Sequence, residues 1–255
     1  MSMLFSLISP LDFVLVCLVA AVAGVIKGRV GFAMPMIMIS GLGMILSPEL
    51  ALAGLILPTV LANGVQALRQ GWRAALESIR RFRVFLLVGF VFLISSAQLV
   101  RVLPASTLLL MLGIPVTGFA LIQLLGLRLK LAAPSARVEG GVGAVAGFIG
   151  GLSGVWGPPT VMYLTALDTP KAEQIRVQGV IYGLGSIALL AAHLGSGVLN
   201  RETLPFSLVL IVPAMLGVQI GARLSDRIDQ ATFRRATLAV LLVAGLNLVR
   251  RALVV

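Results

Sequence analysis

Two positively charged residues, Lys27 and Arg29, lie inside an apolar stretch long enough to span a membrane. A cation at the bilayer centre costs about 3 kcal/mol on insertion scales and usually has a function. Both residues fall within GVIKGRVGFAMP, residues 24–35, where glycine and proline weaken a helix. The N–H groups that begin the next half-helix lack intrahelical partners and carry partial positive charge. This combination predicts an anion-binding site.

The same phrase occurs again as GFIGGLSGVWGP, residues 147–158, at a constant offset of 123 residues. The matching positions are mostly glycine and proline, which indicates an internal duplication with a helix break in each copy. Two breaks facing each other near the membrane midplane would form a small anion site. The alternative is that the glycines only allow close helix packing. The candidate substrate-binding residues at the breaks are Lys27, Gly28, Arg29, Gly31, Pro35, Gly151, Ser153, Gly154, Gly157 and Pro158.

Polar residues follow both breaks. Asn63 and Gln66 share one helix face, and Gln178 and Tyr182 share another. These side chains are candidates either for binding the anion or for hydrogen bonding between helices. His193 lies near a predicted helix end and is expected at the membrane interface. Lys27 and Arg29 also have a second interpretation, as surface charges that set topology.

The composition indicates an integral α-helical membrane protein. Hydrophobic residues make up 59% of the chain and charged residues 11%, against about 25% charged in soluble domains. The net charge of +11 is spread over short connections between apolar segments, which argues against nucleic-acid binding. With one histidine, no HExxH motif and no metal-ligand spacing, we expect no metal, no cofactor and no enzymatic activity.

Segment lengths predict the arrangement of the spans. Residues 11–46 would extend about 54 Å as one helix, against a hydrocarbon core of about 30 Å, and residues 138–167 are also long. If each long segment turns back or crosses twice, each half of the chain crosses an odd number of times and the second half is inverted. Inversion also places most Lys and Arg residues on one side, with the N-terminus outside. The apolar segments are 11–46, 50–68, 84–100, 106–127, 138–167, 176–193, 206–222 and 236–252.

We therefore predict an all-α integral membrane protein with two inverted repeats of about four apolar segments each. Each repeat opens with a broken or re-entrant helix pair. The predicted boundaries are an N-terminal repeat at 1–127, a cytoplasmic linker at 128–137 and a C-terminal repeat at 138–255. The expected location is a bacterial-type inner membrane.

The two phrases, extended to AAVAGVIKGRVGFAMPMI and GAVAGFIGGLSGVWGPPTVMYL, resemble the sulfite exporter TauE/SafE family of permeases, as does GVQIGARLSDRI at 217–228. The second phrase matches the family's glycine-rich pattern, and the first departs from it at Lys27, Arg29, Val30 and Phe32. The resemblance implies import or export of a small anion such as sulfite, sulfoacetate or a related carboxylate. Two further possibilities are that transport is coupled to protons or sodium and that the protein forms a homo-oligomer.

Together these features predict a secondary transporter that works by alternating access around the two breaks. An anion channel with the same half-helices is the closest alternative, and an intramembrane enzyme is a more distant one.

Overall fold

The computed structural model describes residues 8–127, 131, 135–223 and 230–254, and within them the chain forms helices and no strands. Among these described residues, six helical stretches are long and apolar enough to cross a membrane. This confirms the prediction of a multi-pass, all-helical membrane protein. Most of the predicted linker 128–137 lies outside the described residues.

The helices follow one another along the chain with short connections. A 3₁₀ turn, Gln98–Arg101, extends the helix Arg83–Ala97. The bounds are α1 Pro10–Val30, α2 Met34–Leu42, α3 Pro48–Leu68, α4 Trp72–Arg81, α5 Arg83–Ala97, α6 Ala105–Leu124, α7 Ala136–Ser153, α8 Gly157–Ala166, α9 Lys171–Ser196, α10 Thr203–Arg223 and α11 Gln230–Val254.

Both long apolar segments contain two helices. The first contains α1 and α2, with Gly31 at φ 80° after the last residue of α1. The second contains α7 and α8, with Gly154 at φ 71° in the equivalent place. Left-handed backbone of this kind favours glycine, which ends a helix without a Cβ penalty. Pro35 and Pro158 then occupy the first turns of α2 and α8, where a missing N–H costs least.

Glycines bring two pairs of helices to backbone contact. A Cβ at Gly24 would overlap the carbonyl group of Ala214, and one at Gly28 would overlap that of Val218. Helices α1 and α10 therefore pack closely and run in the same direction, as small residues allow. The second copy repeats this arrangement between α7 and α5, with Gly147 on Gly89 and Gly151 on Leu93.

Helix α2 lies in the core of the bundle. Met34, Met38, Ile39 and Leu42 have no exposed surface. Because α2 is both short and buried, it holds the first break inside the protein, away from lipid.

The connection between α3 and α5 contains a further short helix, α4. Trp72 at its start is 65% exposed and lies beneath the guanidinium of Arg73. Arg81 at its end forms an ion pair with Glu173 of α9. A short helix rich in arginine, with an exposed tryptophan, is typical of one that lies along a membrane surface.

Candidate functional site

Lys27 lies in the last turn of α1 and is 4% exposed. Its ammonium group donates hydrogen bonds to Asn63 Oδ1 at 2.5 Å and to Gln66 Oε1 at 2.9 Å. The i, i+3 spacing places both acceptors on the face of α3 that meets α1. Three of the predicted residues therefore form one cluster.

The amide groups of Asn63 and Gln66 continue this cluster into the second half of the chain. Asn63 Nδ2 donates to the backbone carbonyl of Tyr182 at 3.2 Å, and Gln66 Nε2 donates to that of Ile175 at 3.4 Å. In both amides the oxygen thus accepts from Lys27, and the N–H group donates to a carbonyl of α9. These residues hydrogen-bond between helices and orient Lys27.

A small cavity of about 10 Å³ lies where the two breaks meet. This volume holds about one water molecule. Its lining comes from both copies of the repeated phrase and from α9: Lys27, Phe32, Ala33, Pro35, Met36, Val155, Trp156, Gly157 and Tyr182. Four of the predicted site residues, Lys27, Pro35, Gly157 and Tyr182, are therefore brought together here.

Gly157 of the second break lies close both to α9 and to Phe32 of the first break. The Tyr182 hydroxyl donates to the Gly157 carbonyl at 3.4 Å. A Cβ at Gly157 would lie 3.9 Å from the ring of Phe32. The lining includes Lys27 with its ammonium group and Tyr182 with its hydroxyl, while Pro35 has no backbone N–H.

The first break has an unusual backbone. Ala33, which precedes α2, is at φ 70° although it is not glycine. A left-handed conformation costs an L-residue about 1–2 kcal/mol, and such strain persists only where the surroundings hold it. Ala33 is buried and its neighbour Phe32 packs edge-on against Phe119 of α6, with ring centroids 6.1 Å apart.

The second break is held by hydrogen bonds of its own residues. Ser153 Oγ donates to the Ile149 carbonyl at 2.6 Å and accepts from the Val155 N–H at 3.0 Å. Ser153 is buried, and its hydroxyl is used in ending α7. Pro158 stands in the first turn of α8 and is also buried.

His193, which was expected at the membrane interface, lies in the last turn of α9 and has no exposed surface, so its side chain faces the protein interior. Nε2 lies 2.8 Å from the carbonyl oxygen of Gly151, and Nδ1 lies 3.1 Å from Ser196 Oγ. The carbonyls of a last helical turn lack intrahelical donors, so α7 requires a donor at this point. Only the fold brings α9 beside that turn, and the sequence near His193 carries no sign of it.

The other candidates lie around the cavity and do not line it. Gly28 and Gly151 pack against α10 and α5, as described above. Arg29 and Gln178 are both buried. A Cβ at Gly31 would lie 3.7 Å from Gln66 Nε2, and one at Gly154 would lie 2.7 Å from Leu55 Cδ1. No group of three or more His, Cys, Asp or Glu residues that could hold a metal is found in the described part of the chain.

A comparison with protein-family models gives one match that spans both breaks and the polar cluster. The model described as "Sulfite exporter TauE/SafE" matches residues 16–248. The chain belongs to the TauE/SafE family. No individual curated protein and no solved structure matches it.

Membership of the TauE/SafE family confirms the resemblance and indicates a membrane transporter for sulfite or related anions. A transporter family also agrees with the expectation that the protein is not an enzyme. In this TauE/SafE protein the buried Lys27 lines the cavity between the breaks.

Proposed function

We propose that this protein is a secondary transporter of a small anion, namely a sulfur-containing oxyanion, an organosulfonate or a carboxylate, and that Lys27 contacts the substrate. The single observation that carries the proposal is the environment of the Lys27 ammonium. Its hydrogen-bond partners are two neutral amide oxygens, and the salt bridges found among the described residues do not include it. A buried charge without an opposite charge is costly, and a bound anion would supply the missing charge.

The proposed architecture is a pair of inverted repeats, as the sequence predicted. Asn63 meets Tyr182 while Gln66 meets Ile175, so α3 and α9 run in opposite directions. Lys27 joins the ends of α1 and α3, which gives these two helices the same direction. His193 joins the ends of α7 and α9 in the equivalent way. These contacts support opposite directions for α1 and α7, and so for the two halves of the chain.

The proposed mechanism is alternating access. A cavity of about 10 Å³ is too small for an oxyanion of four heavy atoms, so binding requires the two breaks to move apart. The break residues give the chain places to pivot, because Gly31 and Gly154 lie outside the helices on either side. One repeat would rock against the other and open the cavity to each side in turn.

The proposed orientation places α4 on the cytoplasmic side and the N-terminus outside. The support is the basic cluster at 69–83 and the positive-inside rule.

The coupling ion is to be found by imposing proton and sodium gradients separately.

Flux measurements in proteoliposomes test the proposal. We expect sulfite uptake that saturates with concentration and accelerates when sulfite is present on the opposite side. Unitary currents in a planar bilayer would contradict a carrier and would instead indicate a channel through the same half-helices. Absence of flux for sulfite, sulfoacetate, thiosulfate and small carboxylates alike would contradict the substrate class.

A further inference from the structure

A lateral groove of about 490 Å³ runs between α5 and α9, with α7 as its floor. Its volume is within the range of about 300–1,000 Å³ that is usual for ligand sites. The walls are apolar, and representative residues are Phe85, Leu86 and Phe90 of α5 with Ile181, Leu184 and Ala188 of α9. The outer rims include Leu87 and Ile187, which are 69% and 57% exposed. On a membrane protein, such a rim faces lipid.

One charged residue, Arg83, lines the groove, at the end where α5 begins. Arg83 is exposed, and no ion pair involves it in the part of the chain that the structure describes. Its neighbour Arg81 is already paired with Glu173. The groove therefore has an apolar length and a positively charged mouth that is available to an anion.

Trp156 closes the inner side of the groove. Its indole is held between two glycines, since a Cβ at Gly150 would lie 2.7 Å from Cε3 and one at Gly185 would lie 3.2 Å from Cε2. Trp156 also lines the small cavity between the breaks. A ligand in the groove would thus contact Trp156, which on its other side borders the small cavity that contains Lys27.

We propose that the groove binds one acyl chain of an anionic phospholipid, with the lipid phosphate against Arg83. The apolar walls match a hydrocarbon chain, and the single arginine at the mouth matches a phosphate headgroup, since basic residues at a membrane surface attract anionic lipids. The surrounding bilayer delivers such a lipid directly through the exposed rim. This site is distinct from the cavity between the breaks, and the proposal of a lipid here does not depend on which anion is transported.

Tryptophan quenching by brominated lipids tests the proposal. The chain contains two tryptophans, and Trp72→Phe leaves Trp156 as the only one. This variant of the full chain is placed in phosphatidylcholine vesicles with increasing fractions of phosphatidylglycerol brominated on its acyl chains. A parallel series uses brominated phosphatidylcholine. We expect saturable quenching of Trp156 at a lower mole fraction for the anionic lipid.

Two further variants, each made in the Trp72→Phe background, separate the headgroup contact from the acyl-chain contact. Arg83→Gln should shift the midpoint for brominated phosphatidylglycerol about fivefold upward, as loss of one basic residue near a membrane surface predicts. Ala191→Phe, which fills the groove, should lower the maximum quenching. The matched controls are Arg73→Gln on α4 and Val212→Phe on the exposed face of α10, and both should behave as the parent.

Three results would overturn the proposal. Identical quenching curves for the two brominated lipids would show that Trp156 contacts bulk bilayer lipid and that the groove does not select the anionic headgroup. Absence of quenching by either lipid would show that no acyl chain reaches Trp156. Displacement of the brominated anionic lipid by soluble glycerol 3-phosphate or inorganic phosphate would show that the mouth binds a free phosphate and that the groove contributes nothing.

Discussion

Replacement of Lys27 by methionine removes the ammonium group while keeping a long, unbranched side chain. The ammonium is the cation at the cavity between the breaks, and Asn63 and Gln66 hold it there. A hydrogen bond to a charged group contributes about 1.5–3 kcal/mol. Loss of one contact between Lys27 and an oxyanion therefore predicts about a 10- to 150-fold decrease in the initial rate of transport.

The assay is initial-rate sulfite uptake into proteoliposomes, at concentrations below half-saturation and normalised to reconstituted protein. The same substitution also leaves two buried amide oxygens without their donor, which lowers folding stability. Size-exclusion behaviour and thermal unfolding of Lys27→Met in detergent therefore accompany each rate. Lys27→Arg is the matched control, since it retains a charge and donors, and it should recover part of the activity.

A folded Lys27→Met protein that transports sulfite at the wild-type rate would refute the assignment of Lys27 to the substrate. A decrease in flux that is fully explained by less folded protein would also refute it.

The remaining predictions concern the breaks and the orientation. Gly154→Ala should lower the free energy of unfolding by about 1–2 kcal/mol because of its positive φ. Its control, Gly195→Ala in open space on α9, should stabilise the protein slightly. His193→Leu should lower the free energy of unfolding by about 1–3 kcal/mol, because a carbonyl at the end of α7 loses its donor. An unchanged melting temperature would contradict this. On a cysteine-free background, Asn200→Cys should react with an impermeant maleimide from outside and Glu77→Cys should not; reversed labelling would contradict the proposed orientation.

The repeated phrase allowed the sequence to indicate where important backbone features lie. A glycine followed four positions later by a proline occurs in both copies, at Gly31 with Pro35 and at Gly154 with Pro158. Local chemistry explains why: a left-handed residue ends one helix and a proline fits the first turn of the next. The spacing of Asn63 and Gln66 also indicated a shared face, which the structure places toward Lys27.

Features that depend on a partner helix were beyond the sequence. Gly28 and Gly31 look alike as residues of one phrase, yet Gly28 packs on α10 and Gly31 lies near Gln66. The sequence alone could not show that the amides of Asn63 and Gln66 donate hydrogen bonds to backbone carbonyls of α9, because that contact depends on how α3 and α9 pack. His193 was expected at the interface because it is near the end of an apolar segment. It does lie in the last turn of α9, but its side chain is buried and donates to a carbonyl at the end of α7.

Anion-dependent stabilisation of the purified protein tests the central claim most directly. A ligand that binds only the folded state raises the melting temperature with its concentration. Sulfite, sulfoacetate, sulfate, thiosulfate and small carboxylates are each titrated against wild-type protein and Lys27→Met at constant ionic strength. We predict saturable stabilisation of the wild type by at least one of these anions and none for Lys27→Met. Equal stabilisation of both proteins, or of neither, would contradict an anion site at Lys27.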